Sequence, residues 1–420
     1  MSEEAKKSVV GEKQKQMSRR EFMAGAGAAA LTFTAVKPEL VYGTEANSKL
    51  RLGMIGCGMR GTDIGDKFIE QGGYEIVAAA DYFQDKVDEF GEKFGIEQNK
   101  RFTGLAGYKR LLEAGVDAVA IESPPYFHPE QAAAAIDAGV HVYLAKPIGV
   151  DVPGCNLVAE TGRKASANNL CFLVDFQTRA NRFYREAVKR VHYGEIGRII
   201  YGDANFVTGP TWITWNPIGK ILADKPNDPE ARLQAWGLDK VLSGDIITEQ
   251  AIHALDVASW ILGEDALSAY GTGGLKSRKI GTAWDYFTVV YNFPKDVALS
   301  FNCKQGGADE CGGIMCRVYG TDGVIDTHYG GDVGIRGSTP YKGGKTSEIY
   351  WGGASKNIAD FYDNITKGRF ANTTVQPSVR SILTSILGRE AAYKRREMSW
   401  DEMMKANEKL EVDFLKDLKA

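Results

Sequence analysis

The sequence predicts an α/β fold in two parts: a parallel sheet covered by helices, then an α/β domain with a large open, mainly antiparallel sheet. Three observations support this prediction. Residues 52–81 have the pattern of a strand, a glycine-rich turn, a helix and a second strand. Apolar strands then alternate with helical segments as far as residue 175, which is typical of βαβ units. Between 269 and 326 apolar and polar residues alternate between glycine-rich breaks, which indicates antiparallel strands.

The first unit contains a G-x-G-x-x-G turn, Gly56-Cys57-Gly58-Met59-Arg60-Gly61. Gly56 permits the tight turn, Gly58 lets the backbone approach a pyrophosphate, and Gly61 lets the helix pack closely on the strand. The helix begins near Met59 and Arg60, where free N–H groups and the helix dipole favour an anion. We therefore predict a dinucleotide site in a Rossmann domain. The alternative is a purely structural glycine turn.

The second strand of this unit ends at Asp81, twenty residues after Gly61. An acid at this place can accept hydrogen bonds from the ribose 2′ and 3′ hydroxyls of a dinucleotide. A carboxylate would also repel a 2′-phosphate. The predicted cofactor is therefore NAD rather than NADP.

Length and composition exclude several classes of protein. With 420 residues the chain is long enough for two domains of about 150 residues or more each. Its net charge of −3 provides no basic face for nucleic acid. The six cysteines form no C-x-x-C pair, and no metal-ligand spacing is visible. We expect buried thiols and no metal site, with a Cys311–Cys316 disulfide as the alternative after export.

Residues 1–46 are predicted to be a signal and linker rather than part of the fold. Ser18-Arg19-Arg20-Glu21-Phe22-Met23 precedes an apolar run of small residues from 24 to 36. This order resembles a twin-arginine export signal. The run is too short to span a bilayer comfortably, and a disordered tail or a short membrane anchor are the alternatives. The expected location is the periplasm or another exported site, and the export machinery is an expected partner.

Export by this route has a consequence for the cofactor. The twin-arginine system moves folded proteins, so a nucleotide can be acquired in the cytoplasm. No soluble NAD pool exists outside the inner membrane. We therefore expect the cofactor to stay bound and to be regenerated within each catalytic cycle, which argues against a simple dehydrogenase that releases NADH.

Two later strands end in polar segments that point to the same site. The apolar strand up to residue 121 is followed by Glu122, Ser123, Pro124 and, a few residues on, His128. Ligands of open α/β sheets bind at the carboxyl ends of the strands. We therefore predict that Ser123, Pro124 and His128 face the nicotinamide half of the cofactor. The next strand ends at Lys146-Pro147.

The Ser-Pro-Pro loop, the following helix, the Ala-Gly-Val-His-Val strand and the Lys-Pro dipeptide resemble the Gfo/Idh/MocA oxidoreductase family. The resemblance covers about residues 50–400. It implies a Rossmann domain over 47–172 and a domain over 173–420 for substrate binding and oligomerisation, including the C-terminal helices. The family usually has Glu-Lys-Pro at the dipeptide, whereas this chain has Ala145 before the lysine. A carboxylate is therefore missing from this position.

The resemblance gives Lys146 a catalytic role. An ammonium group at a strand end can contact the reacting hydroxyl and the nicotinamide ribose, and can stabilise a developing alkoxide. A solvated surface lysine is the alternative.

In the second domain, one helical segment is expected to carry acid–base chemistry. Glu249 and His253 are i,i+4 neighbours, and Asp256 lies about one turn further on. The segment resembles the family's G-G-x-x-x-D-x-x-x-H-x-x-D pattern, with Glu249 in place of the aspartate. His253 is the predicted base. Glu249 would orient it or bind a second hydroxyl, and Asp256 could hold its other ring nitrogen or contact the substrate.

Further residues are predicted to contact the substrate. Gln177 and Arg179 follow the strand that ends at residue 175, and Tyr286 begins a strand of the second sheet. Two tryptophans in residues 211–217 are consistent either with sugar stacking or with a core.

A histidine on a helix is ordinarily a structural residue, and this is the alternative for His253.

The resemblance implies redox chemistry on a sugar, polyol or glycoside, in a homo-oligomer formed through the open sheet. Three outcomes share the same first step: simple oxidation, transfer to a second carbonyl compound, and glycoside cleavage through a transient 3-keto sugar followed by reduction. A non-catalytic, nucleotide-binding scaffold is the remaining alternative.

Overall fold

The computed structural model describes residues 49–210, 217–307 and 313–420, and all structural statements concern these ranges. The first sheet has six parallel strands in the order β3-β2-β1-β4-β5-β6, the order of a Rossmann domain. Its strands are β1 (Leu50–Ile55), β2 (Tyr74–Asp81), β3 (Arg101–Thr103), β4 (Ala118–Ile121), β5 (His141–Ala145) and β6 (Phe172–Asp175). The connecting helices are α1 (Met59–Gln71), α2 (Gln84–Phe94), α3 (Gly107–Leu112), α4 (His128–Asp137) and α5 (Val152–Ala167).

Helices cover both faces of this sheet, which explains its nearly continuous apolar strands. Every residue of β4 is buried, as expected where a parallel strand has no solvent-facing side. One face carries a cluster in which the ring of Tyr143 packs edge-on against Phe68 of α1 and Phe361. The carboxyl ends of the strands remain free to form a site.

The position of Phe361 shows that the two predicted domains are not separate along the chain. This residue belongs to a helix, α13 (Ile349–Thr366), that lies within the range predicted for the second domain but packs in the core of the first. Strand β6 also extends to Asp175 and pairs with β5, so the first sheet runs past the predicted boundary at residue 172. The chain therefore returns to the first domain after building the second.

The second sheet has nine strands in the order β14-β13-β12-β11-β7-β10-β9-β8-β15. Only β7 and β10 pair in parallel, and the other neighbours are antiparallel, as predicted. The strands are β7 (Ile199–Thr208), β8 (Ser268–Gly274), β9 (Tyr286–Phe293), β10 (Val297–Gln305), β11 (Gly313–Gly320), β12 (Gly323–His328), β13 (Asp332–Gly337), β14 (Tyr341–Lys345) and β15 (Met398–Ser399). The remaining helices are α6 (Gln177–Ala180), α7 (Arg182–His192), α8 (Pro217–Asp224), α9 (Pro229–Gln234), α10 (Lys240–Ser243), α11 (Ile246–Glu249), α12 (Ile252–Leu262), α14 (Val375–Lys394) and α15 (Trp400–Ala406).

The two faces of the second sheet differ. Helices α12 and α14 pack on one face, and buried residues alternate with less buried ones along β9 and β10. On the other face Tyr270 and Val290 are paired neighbours on adjacent strands and are 57% and 42% exposed. This open face of the sheet therefore exposes apolar side chains.

Two helical segments differ from the sequence pattern. The charged residues 400–419 predict one terminal helix, but the helix ends at Ala406, where Asn407 adopts a left-handed conformation with φ 45°. The later chain then buries Phe414 against the first domain. The helical segment that carries Glu249, His253 and Asp256 is broken between Glu249 and Ile252 into α11 and α12.

In the described ranges, no group of three or more His, Cys, Asp or Glu side chains is arranged to bind a metal ion. None of the helices in these ranges is both long and apolar enough to cross a bilayer. The five described cysteines are buried and free. Cys311, the predicted signal segment and the tryptophans at 212 and 215 lie outside the described residues.

Candidate active site

The three glycines of the first turn have distinct environments. Gly56 has φ 95°, and a Cβ there would lie 2.6 Å from the amide nitrogen of Ser123. A Cβ on Gly61 would overlap the carbonyl oxygen of Gly56. Beside Gly58, by contrast, no protein atom lies within 4 Å of the Cβ position. Packing thus explains Gly56 and Gly61, whereas the space beside Gly58 suits a ligand.

A cavity of about 430 Å³ lies at this turn. Gly58, Met59, Arg60 and Gly61 line it where α1 begins, and no side chain caps that helix end. Asp81 lines it at the end of β2. The open cradle, the uncapped helix start and the strand-end acid fit a dinucleotide.

The carboxylate of Asp81 is fixed by the main chain. Its Oδ2 accepts from the amide of Cys57 at 2.7 Å, and its Oδ1 accepts from the amide of Phe83 at 3.0 Å. Burial raises the pKa of Asp81, and these two amides oppose that effect. A carboxylate has about four lone-pair sites, so two amides leave capacity for ribose hydroxyls.

The loop after β4 contributes Ser123 and Pro124 to the same cavity. His128 lines the neighbouring smaller cavity rather than this one. Its Nδ1 and Nε2 lie 2.7 Å from the carbonyl oxygens of Pro147 and Ser123, respectively. Burial lowers the pKa of His128 to about 4, and the hydrogen bonds with the two carbonyl oxygens oppose that shift. Because both ring nitrogens face protein carbonyls, His128 joins the loop to the Lys146-Pro147 segment and does not use these nitrogens to bind a cofactor.

Part of the cavity wall comes from the second half of the chain, which the sequence analysis did not predict. Ile218, Leu233 and Trp236 line the cavity from the segment between β7 and β8. Leu233 and Trp236 also belong to an apolar cluster with Phe414 near the C terminus. Apolar residues distant in sequence therefore cover the nucleotide cavity.

A second, smaller cavity of about 170 Å³ adjoins the first. Lys146 and His253 both line it, as the sequence predicted they should if they act on one carbon. Glu249 and Gln177 line it as well. The residues that line both cavities are Arg60, Glu122, Ser123, Trp236 and Tyr350.

Lys146 is held by Glu249. Its Nζ donates to the main-chain oxygen of Glu249 at 2.6 Å and lies 3.4 Å from Oε1 of the same residue. Glu249 therefore forms its contacts with the lysine, whereas one of its predicted roles was to orient His253. The helix break after Glu249 exposes this carbonyl, which a continuous helix would have used in its own hydrogen bonding.

His253 is buried at the start of α12, and its Nδ1 has no hydrogen-bond partner among the described residues. Burial, followed by the nearby charges of Lys146 and Arg60, lowers the pKa of His253 well below its ordinary value of 6.5. The imidazole is therefore neutral at physiological pH. A neutral imidazole can accept a proton, as a general base requires.

Arg179 and Asp256, both predicted to contact substrate, pair with each other and do not line the cavity of Lys146 and His253. Arg179 donates from Nη2 and Nε to Asp256 Oδ1 at 2.9 and 3.0 Å. Asp256 is fully buried, and the guanidinium lies over the ring of Trp260. Asp256 does not hold the second nitrogen of His253, because a buried carboxylate needs a cation and Arg179 supplies it.

Tyr286 was also placed wrongly. It lines a separate groove on the second sheet, with Lys276 and Asp285, rather than the cavity of Lys146 and His253. Gln177 remains at the site: its Nε2 donates to Asp175 Oδ2 at 2.9 Å, and its Oε1 has no partner among the described residues.

Two carboxylates at the site were not predicted from the sequence. Glu122 directly follows β4, Asp175 is the last residue of β6, and both line the smaller cavity. Arg60 lies between them, with Nη2 3.0 Å from Asp175 Oδ2 and Nε 3.8 Å from Glu122 Oε2. Polar residues at the carboxyl ends of buried strands were the signal that could have identified them.

Comparisons with known proteins agree with this arrangement. A profile described as the oxidoreductase family with an NAD-binding Rossmann fold, Gfo/Idh/MocA, matches residues 50–172. A profile of the C-terminal domain of the same family matches residues 184–326. Together the two matches span more than half of the chain.

Individual relatives are distant. Myo-inositol 2-dehydrogenase of Thermotoga maritima is 25% identical over 279 residues, which cover 66% of this chain and 72% of the relative. A glycosyl hydrolase family 109 protein of Shewanella pealeana is 26% identical over 168 residues, 39% of this chain and 36% of the relative.

Among solved structures, scyllo-inositol dehydrogenase from Lactobacillus casei with bound NAD(H) and scyllo-inositol has a TM-score of 0.65 at 18% identity, covering 84% of this chain and 100% of that one. This likeness concerns the fold. With both family profiles matched in order and the nucleotide cavity in place, the chain belongs to the Gfo/Idh/MocA family and is an NAD-dependent oxidoreductase.

Proposed function

We propose that the protein oxidises a secondary hydroxyl group of a sugar, polyol or glycoside. The observation that carries the proposal is that Lys146 and His253 line one cavity, which adjoins the nucleotide cavity. The inositol dehydrogenases among the relatives support a polyhydroxylated ring as substrate.

The roles of the residues follow from their charges. NAD, held at the glycine turn and Asp81, supplies the hydride acceptor when bound. The neutral imidazole of His253 accepts the proton of the substrate hydroxyl. The ammonium of Lys146, fixed by Glu249, stabilises the negative charge that develops on the same oxygen.

Spectroscopy of bound nucleotide tests the proposal. The purified protein, loaded with NAD, is mixed with myo-inositol, scyllo-inositol, free sugars and methyl glycosides, and NADH absorbance is recorded. We expect reduction by at least one compound and its loss in Lys146→Met and His253→Asn. Lys164→Met, at an exposed position on α5, is the matched control. Equal reduction in His253→Asn and the control would contradict the role of His253.

A redox-neutral glycosidase is the second candidate. It is favoured by the family 109 relative and by the apolar cover of the nucleotide cavity, which suits a cofactor that is retained and recycled. A transient keto group would acidify the neighbouring C–H and allow the glycosidic substituent to leave. Water then adds to the resulting double bond, and the keto group is reduced again, which makes the overall reaction redox-neutral. Release of aglycone with exchange of that hydrogen for solvent deuterium, and without net NADH, would distinguish this reaction from simple oxidation.

Export and assembly are further parts of the proposal. The arginine pair at residues 19 and 20 supports twin-arginine export, and Arg19→Lys with Arg20→Lys should leave the protein in the cytoplasm on cell fractionation. Tyr270 and Val290 on the open sheet face support a homo-oligomer. Light scattering should then show a smaller particle for Tyr270→Lys. Unchanged fractionation or particle size would contradict the respective part.

A further inference from the structure

Glu122 occupies the junction of the two cavities. It follows β4 directly, and its amide donates to the carbonyl of Ile55 at 2.7 Å, which fixes the backbone at the carboxyl end of the sheet. Ile121 pairs with Leu144, so Glu122 lies beside Ala145 at the end of β5. The methyl group of Ala145 leaves the adjoining space to other side chains. Glu122 lines both the nucleotide cavity and the cavity of His253.

The carboxyl group of Glu122 is poorly satisfied by the protein. Its side chain is only 1% exposed, and Oε1 has no hydrogen-bond partner in the described part of the chain. Oε2 lies 3.8 Å from Nε of Arg60, which is an ion-pair distance and too long for a hydrogen bond. Nη1 of Arg60 is also unpartnered among the described residues. A buried donor and a buried carboxyl oxygen without partners are costly unless a ligand satisfies them.

Neither of the two nearby cations, Arg60 and Lys146, forms a hydrogen bond with the carboxyl group of Glu122. Arg60 gives its 3.0 Å contact to Asp175, which also accepts from Gln177 and Asn357. Lys146 gives its hydrogen bonds to Glu249. The smaller cavity is thus lined by two cations and three carboxylates. The titratable groups that act on Glu122 are Arg60 of α1, Tyr143 of β5, Lys146 after β5, Asp175 of β6 and Tyr350 of α13.

We propose that Glu122 is a substrate-binding residue whose free Oε1 forms a hydrogen bond with a hydroxyl group of the substrate, next to the hydroxyl that is oxidised. This inference rests on the proposed function and adds a specificity residue to it. A hydroxyl group suits the site because its oxygen has two acceptor lone pairs, and so can accept from the carboxyl group and also from Nη1 of Arg60. Burial raises the pKa of Glu122 to about 8, with Arg60 opposing the shift. At neutral pH the carboxyl group is therefore the donor.

Equilibrium binding tests this inference without turnover. Protein saturated with NADH cannot oxidise a polyol, so calorimetry with myo-inositol, scyllo-inositol, glucose and methyl glucosides reports binding alone. Three variants are compared with the unaltered chain: Glu122→Gln keeps the shape and a donor, Glu122→Leu removes both, and Glu113→Gln is a control at an exposed glutamate. NADH affinity is measured separately for each.

We expect Glu122→Leu to weaken binding of the preferred probe about tenfold at pH 7, and Glu122→Gln to stay within about threefold. The dissociation constant of the unaltered chain should change in a step near pH 8, and this step should be absent in Glu122→Gln. That second readout is available even if Glu122→Leu does not fold. NADH affinity should be unchanged in all variants.

Three results would overturn the inference. If Glu122→Leu does not change probe affinity, or if Glu122→Gln retains the pH step, Glu122 does not bind the substrate. Either result would leave the proposed function intact. Loss of NADH affinity without loss of probe affinity would make Glu122 a cofactor residue instead. Failure of every probe to bind the unaltered chain would overturn both this inference and the proposed function, and is thereby distinguished from the other two.

Discussion

The ammonium nitrogen of Lys146 lies 2.6 Å from the main-chain oxygen of Glu249, a residue 103 positions later in the chain. This contact joins the end of β5 in the parallel sheet to the short helix α11 of the second domain. It depends on the helix break after Glu249, which frees the carbonyl and starts α12 with His253 in the same cavity. His253 and Lys146 are thus brought to one cavity by an irregularity in a helix.

The role of Lys146 is tested by removing its charge. Lys146→Met should lower kcat about a hundredfold or more, because a positive group placed at developing negative charge is among the larger contributions to catalysis. Steady-state kinetics with the best substrate measure this effect. Lys164→Met should retain full activity, and a similar loss in that variant would contradict a specific role for Lys146.

The low pKa of His253 predicts an unusual pH profile. An imidazole with an ordinary pKa would become protonated below 6.5 and lose its ability to act as base. Because burial and the charges of Lys146 and Arg60 hold the pKa of His253 well below 6.5, the neutral form persists at lower pH. We expect any fall in kcat for hydroxyl oxidation to have a midpoint below 6.5. A fall in kcat with a midpoint near 6.5 would contradict this expectation.

The glycine turn allows binding and stability to be separated. Gly58→Ala should lower NADH affinity at least tenfold without changing the thermal midpoint, because the added methyl group enters the ligand space. Gly61→Ala should lower the free energy of unfolding by about 1–3 kcal/mol, because its methyl group overlaps the carbonyl of Gly56. Fluorescence titration and thermal denaturation measure the two effects. Equal destabilisation by both substitutions would count against this division.

Arg179 and Asp256 are predicted to stabilise the fold. Arg179→Met leaves a fully buried carboxylate without its cation and should cost about 3–5 kcal/mol of unfolding free energy. The double variant Arg179→Met, Asp256→Leu should recover much of this loss. Urea denaturation of the single and double variants measures the coupling. If Arg179→Met folds normally but raises KM alone, Arg179 is a substrate residue after all.

Buried histidines away from the base predict a loss of stability in acid. Burial lowers the pKa of both His128 and His141 to about 4, whereas the unfolded chain titrates near 6.5. Between these values the unfolded state binds more protons, so stability is complete above pH 6.5 and falls as the pH drops toward 4. At pH 5 each histidine should cost about 2 kcal/mol. Urea denaturation at pH 7 and 5 checks this, and His141→Asn should remove about half of the difference.

The sequence was sufficient for features that depend on local pattern. The glycine spacing and the acid at residue 81 predicted the first βαβ unit, because the whole motif lies within one short stretch of the chain. The alternation after residue 269 predicted the antiparallel strands, because a half-covered sheet requires a period of two. Lys146 was identified by its place at a strand end and by the family resemblance.

Pairing between distant residues was decided only by the tertiary structure. Helical spacing predicted a contact between Asp256 and His253. Arg179, 77 residues earlier, binds that carboxylate instead, because a buried charge must be neutralised. The sequence also gave Glu122 no role. Glu122 was singled out because its buried Oε1 has no hydrogen-bond partner among the described residues, and this is visible only when the positions of the neighbouring side chains are known. Local periodicity determined the elements; burial, which removes water as an alternative partner, determined which side chains meet.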